Sequence, residues 1–105
     1  MIDQMNTDEL KDKMDKNENF VLVDCREQEE WDEGHIPGAK FMPLSKFDEL
    51  YSELKTDDNI IVYCRSGKRS MKACQFLMEN DYENLTNVEG GILDWVNSGF
   101  PLTQD

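Results

Sequence analysis

Short apolar runs alternate with segments of helical spacing, and this order constrains the fold more than any other feature of the chain. Phe20-Val21-Leu22-Val23 and the stretch from Asn59 to Tyr63 are brief and rich in β-branched residues. Such runs suit strands buried on both faces of a parallel sheet. Ala39-Lys40-Phe41-Met42 and Leu85-Thr86-Asn87-Val88 read as two further short strands, the latter ended by Glu89-Gly90-Gly91. Between them lie the helices. Thr7-Asp8-Glu9-Leu10 looks like a capped start, with Thr7 as the N-cap and Met14 repeating the apolar spacing, which predicts a helix over 7–16. Glu27 to Glu33 is helical in composition and stops at Gly34. Ser45 opens a helix carrying Phe47, Leu50, Tyr51 and Leu54, and Ile92 to Asn97 closes the series. The strongest helix runs from Ser70 to Asn80, with Met71, Cys74, Phe76, Leu77 and Met78 available to a core. Strands alternating with helices imply an α/β fold, a parallel sheet with helices on both faces and ligands at the carboxyl ends of the strands.

The chain has 105 residues, which sets the expectation of one domain spanning 1–105 with a single compact core. No internal repeat, low-complexity segment or long linker divides it. A formal charge of −12, from 23 acidic and 11 basic residues, argues against nucleic acid or an anionic membrane surface as partners, since both are held by positive charge. No stretch approaches the roughly 20 apolar residues of a membrane helix, and the N-terminus has neither a basic start nor a hydrophobic signal core. The three cysteines lack CxxC spacing and fit neither a disulfide framework nor a zinc site. A cytoplasmic protein with reduced thiols is expected.

Within the acidic chain there is one basic island. Tyr63-Cys64-Arg65-Ser66-Gly67-Lys68-Arg69-Ser70 follows the apolar run at Ile60 to Val62 and leads into the strongest helix, with Lys72 close behind. It reads as a strand, an anion cradle and a helix N-terminus. A thiol at the floor of such a loop meets unpaired backbone N–H groups, the positive end of the helix dipole and the cations Arg65, Lys68 and Arg69. That environment favours the thiolate and makes Cys64 a nucleophile.

Asp24-Cys25-Arg26-Glu27, Glu33-Gly34-His35-Ile36-Pro37-Gly38-Ala39, the Cys64 loop, Glu89-Gly90-Gly91-Ile92 with Trp95, and Gly99-Phe100-Pro101 occur in order along the chain. With these motifs the sequence resembles a single-domain rhodanese, a sulfurtransferase, over Val21 to Pro101. The resemblance implies a rhodanese-like α/β fold, a five-stranded parallel sheet with helices on both faces, its first strand near Ile2 to Met5. It also implies a chemistry. The family cysteine takes the outer sulfur of a donor, holds it as a persulfide and passes it to a nucleophilic acceptor. Here that cysteine is Cys64, with Arg65, Ser66, Gly67, Lys68, Arg69 and Ser70 as the cradle and Arg26 as a donor-binding residue. Four residues separate Cys64 from Arg69. Related phosphatase and arsenate reductase loops have one more, and the shorter ring suits a single sulfur atom. The implied partners are a small anionic sulfur donor, thiosulfate or a persulfide, and a thiol acceptor such as glutathione, thioredoxin or a sulfur-relay protein, or cyanide. No metal or organic cofactor is implied.

Several residues carry two readings. Arg26 matches a position that faces the active site in the two-domain thiosulfate enzymes, and a structural ion pair with a nearby carboxylate is the alternative. Those enzymes carry a basic residue where this chain has Ser66, which leaves thiosulfate, a protein persulfide and a small-molecule persulfide open as donors. Cys25 is read as a small buried filler, with a resolving thiol in a Cys25/Cys64 redox pair as the alternative. Cys74 is read as core. His35, the one histidine, is read as fixing its turn rather than as a catalytic partner of Cys64. Asp24 is expected to hydrogen-bond the adjoining turn, and Trp31 and Trp95 to pack in the core. A protein-to-protein sulfur relay with little turnover on small molecules is the competing function.

Overall fold

The structure is a computed structural model describing residues 1–105. Five strands form one sheet: β1 Ile2–Met5, β2 Val21–Asp24, β3 Lys40–Phe41, β4 Ile60–Tyr63 and β5 Leu85–Val88. They lie in the order β1-β5-β4-β2-β3, every pair parallel. The two all-apolar runs occupy the middle of the sheet, where both faces are covered. The helices are α1 Thr7–Asp15, α2 Gln28–Glu33, α3 Phe47–Leu50, α4 Lys68–Glu79 and α5 Gly91–Asn97. None is long and apolar enough to cross a membrane.

Strand alternation divides the interior in two. Val23, Cys25, Ile60, Val62 and Cys64 point to one face, where they pack with Phe47 of α3 and Ala73, Cys74 and Leu77 of α4. Leu22, Ile61 and Tyr63 point to the other, against Leu10 of α1 and Ile92 and Trp95 of α5. Cys64 leaves the end of β4 on the α4 side. A buried leucine or isoleucine contributes about 1.5–3 kcal/mol on burial, so each layer adds to what holds the loop in place.

The ends of elements differ from expectation for local reasons. Asn6, not Thr7, caps α1: Glu9 N–H donates to Asn6 Oδ1 at 2.8 Å and Asn6 N–H to Glu9 Oε1 at 3.1 Å. Thr7 is instead buried in the first turn. The segment opened at Ser45 is broken into two 3-10 turns, Leu44–Lys46 and Tyr51–Glu53, flanking α3. Tyr82 explains its end, because its hydroxyl lies 3.1 Å from the Tyr51 carbonyl and 2.7 Å from that of Leu54. In α4 the buried face is Ser70, Ala73, Cys74 and Leu77. Met71 and Met78 flank that face, so Met71 is half-buried and Met78 exposed rather than core. Trp95 is fully buried, whereas Trp31 is half-buried and stacks on His35 with ring centroids 3.4 Å apart.

Candidate active site

The loop 64–67 carries the chain from β4 into α4, and Gly67 makes the passage as the N-cap with φ of 105°. A residue with a side chain is strained there. The turn folds the backbone back over the cysteine: Gly67 N–H lies 3.1 Å and Ser70 N–H 3.3 Å from Cys64 Sγ. The thiol is almost wholly buried. Four further backbone N–H groups, of Arg65, Ser66, Lys68 and Arg69, have no protein acceptor. Two sit in the open loop and two in the first helical turn, where such donors are left over by geometry.

Cys64 is held well below the usual thiol range, to about 4. The largest cause is the neighbouring Cys25 thiol; burial opposes the charge, and the Ser70 hydroxyl and the Ser70 and Gly67 N–H groups favour it. The Ser70 contribution is conditional. Its Oγ lies 3.4 Å from Cys64 Sγ, yet its hydroxyl also donates to Asn87 Oδ1 at short range. A hydroxyl has one proton, so Ser70 serves either Asn87 or the thiolate. The two backbone groups are therefore the firm donors at the sulfur. Asn87 is fixed in turn, its Nδ2 donating to Gln4 Oε1 at 3.0 Å and to the Gly67 carbonyl at 3.3 Å.

From the other side, α5 clasps the loop. Ile92 N–H donates to the Cys64 carbonyl at 2.9 Å and Leu93 N–H to that of Arg65 at 3.2 Å. Gly91 makes this approach with φ of 53°, and a Cβ there would lie 2.5 Å from both carbonyl oxygens.

The candidate residues do not all converge on the sulfur. Arg65, Ser66 and Lys68 are exposed on the rim, and Arg65, Lys68 and Lys72 form no ion pair. An open groove of about 840 Å³ runs alongside, lined by Ser66, Lys68, Lys72, Asn87 and Glu89 among others. Arg69 is committed elsewhere: Glu30 of α2 holds its guanidinium with two bonds of 2.7 and 2.8 Å. This pair pushes Glu30 down to about 2 and Arg69 up. Arg26 is buried in the alternative arrangement raised for it. Its Nη2 donates to Asp24 Oδ2 at 2.7 Å and to the Gly34 carbonyl at 2.8 Å, and Tyr63 Oη donates to the same carboxylate at 2.6 Å. The ion pair thus takes up donors that anion binding would need. Asp24 also accepts from the Arg26 N–H at 2.9 Å, which closes the adjoining turn. His35 Nδ1 pairs with the Trp31 carbonyl at 3.2 Å.

Glu30 and Asn87 belong to this site and were missed in the sequence. Asn87 carried a signal, a side-chain amide near the end of an otherwise buried strand. Glu30 carried none, as one acidic residue among many on an exposed helix.

The rhodanese-like domain family matches residues 6–98. The chain is 34% identical over 102 residues to a sulfurtransferase of Allochromatium vinosum, covering 97% of this chain and 95% of that protein. With YtwF of Bacillus subtilis it shares 38% identity over 94 residues, 90% of each chain. Among solved structures, a rhodanese-related protein from Thermoplasma volcanium matches with a TM-score of 0.87 at 29% identity, covering 98% of this chain and 99% of that one.

Proposed function

Because this chain belongs to the rhodanese-like domain family, we propose that it moves a sulfane sulfur from an anionic donor, through a persulfide on Cys64, to a thiol or cyanide. The observation that carries this reading is the cradle: a buried thiolate with two backbone N–H groups on its sulfur and four more without acceptors around it. In the first step the thiolate attacks the outer sulfur of the donor. The donor's S–S bond breaks, and sulfite or a thiolate leaves with the electron pair. The negative charge now sits on the terminal sulfur, one atom further out. Unpaired N–H groups held by the loop and by the α4 N-terminus are suited to receive it without reorganisation. In the second step the acceptor attacks that terminal sulfur and Cys64 leaves as thiolate, which the same donors favour. A low pKa serves both steps, as nucleophile and as leaving group.

Arg65, Lys68 and Lys72 are free to draw an anionic donor to the rim, while Arg69 acts on the loop through Glu30 rather than on the donor. Three unpaired cysteines suit a reducing compartment, and a cytoplasmic location is part of the proposal. The test is steady-state formation of thiocyanate from thiosulfate and cyanide, and of persulfide from glutathione, by the wild type and by Cys64→Ser. Transfer should be lost in the variant while its circular dichroism is unchanged. Retained transfer in Cys64→Ser contradicts the assignment. Sulfur uptake without turnover on either small acceptor favours a protein-to-protein relay using the same cysteine.

A further inference from the structure

We propose that the site has a second outlet: Cys25 resolves the Cys64 persulfide internally, releasing hydrosulfide and leaving a Cys25–Cys64 disulfide. This rests on the sulfur-transfer reading and adds to it a reductive activity that consumes the bound sulfur without an acceptor.

The topology places the two thiols together. β2 and β4 are parallel neighbours with Asp24 paired to Tyr63, and the ladder continues one step beyond, where Cys25 N–H donates to the Tyr63 carbonyl at 3.1 Å. Cys25 and Cys64 are therefore the next residues in register on adjacent strands. Neighbouring strands lie about 4.8 Å apart, inside the range of roughly 4.4–6.8 Å between Cα atoms that a disulfide spans. Alternation sends both side chains to the α4 face, and both belong to the same buried cluster. The two thiols are thus neighbours in the buried layer beneath the loop before any reaction. Cys74 shares the face but not this arrangement: its thiol points to the Thr86 carbonyl at 3.8 Å.

The directions of approach also fit. Gly67 and Ser70 reach Cys64 Sγ from the loop and α4, where the outer sulfur would be held. Cys25 reaches it from the neighbouring strand. Attack from that side on Cys64 Sγ expels the outer sulfur towards the cradle. The Cys25–Cys64 S–S bond forms as the bond to the outer sulfur breaks. That sulfur leaves with the electron pair, takes the Cys25 proton and departs as hydrosulfide. It is reduced, and the two cysteines are oxidised by the same two electrons. The neighbouring Cys64 thiolate and burial keep Cys25 protonated until the charge has moved off Cys64 Sγ. An external dithiol then reduces the disulfide and restores the site.

Cys25→Ser separates this role from simple packing, because a hydroxyl fills nearly the same space but cannot form a disulfide. The full-length chain, reduced and freed of reductant, is loaded with one sulfur from glutathione persulfide or thiosulfate, desalted and left without acceptor. Hydrosulfide is then measured per chain loaded, with intact mass and non-reducing peptide mapping. The wild type is expected to release close to one equivalent, lose the added sulfur and two hydrogens, and yield a Cys25–Cys64 peptide pair. Loaded Cys25→Ser is expected to keep its sulfur. A wild type that loads and holds its sulfur overturns this inference alone, as does equal release by the variant or a crosslink to Cys74 instead. A wild type that loads from neither donor contradicts the sulfur-transfer reading as well.

Discussion

Cys64 is made reactive by contacts within a few ångströms, and those contacts set how it should respond to pH. Its pKa is lowered in the fold, so the thiolate is the resting form at neutral pH. Alkylation by a small neutral reagent should therefore hold its rate from pH 8 down past pH 6, whereas an ordinary thiol with a pKa of about 8.5 slows about tenfold per unit below it. Burial raises Cys74 to about 12, and Cys25 is raised too, so peptide mapping should find label on Cys64 alone. A steep fall in rate between pH 8 and 6 would contradict the donor arrangement. Asn87→Ala should destabilise the chain by about 1–3 kcal/mol in denaturant titrations, because it strips partners from Ser70, Gln4 and the Gly67 carbonyl. The loop around Cys64 was legible in the sequence, since its cysteine, glycine and cations are contiguous. Its outer partners were not. Asn87 comes from another strand and Glu30 from a helix, and only the tertiary fold brings them to the Cys64 loop.

At the scale of elements, the loop is held by what packs around it rather than by its own seven residues from Cys64 to Ser70. Gly91→Ala should cost well over about 1 kcal/mol, the usual scale for a side chain forced into positive φ, since its Cβ would also meet the Cys64 and Arg65 carbonyls. Sulfur uptake by the folded fraction should fall with it; a variant of unchanged stability would show the clasp to be loose. Glu30 and Arg69 tie α2 to the first turn of α4. Both are partly exposed, so Glu30→Gln should destabilise by no more than about 1 kcal/mol. Glu30 has a lowered pKa in the fold, so its stabilisation is present in full above its unfolded value near 4.5 and is lost as the pH falls towards 2. The stability difference between wild type and variant should narrow over that range. The sequence indicated which elements exist, because apolar period and capping chemistry are local. It misjudged ends decided by distant groups: Tyr82 terminates the segment after Ser45, and Glu27 anchors it, accepting from the Ser45 hydroxyl at 2.6 Å. Arg26 carried two readings, and the ion pair with Asp24 is the arrangement found.

Across the whole molecule, a charge of −12 surrounds a rim on which Arg65, Lys68 and Lys72 are unpaired. Fields of this kind steer charged ligands and are screened over about 8–10 Å at physiological salt. Lys68→Glu with Lys72→Glu should slow uptake from dianionic thiosulfate at low salt, by several-fold in single-turnover measurements, and the difference should fade as salt is added. Equal slowing at all salt concentrations would point to direct contact instead. Sheet order lies beyond what local pattern can reveal, since pairing β4 with both β2 and β5 joins residues far apart in sequence. The family resemblance supplied β1 at Ile2–Met5, which the apolar pattern alone did not mark. The central claim is that Cys64 carries sulfur, and intact-protein mass tests it most directly. After brief exposure to thiosulfate or glutathione persulfide, the wild type should gain one sulfur atom on Cys64 and lose it when cyanide is added. An unmodified mass after both donors, with the Cys64 thiol still free, would contradict the account.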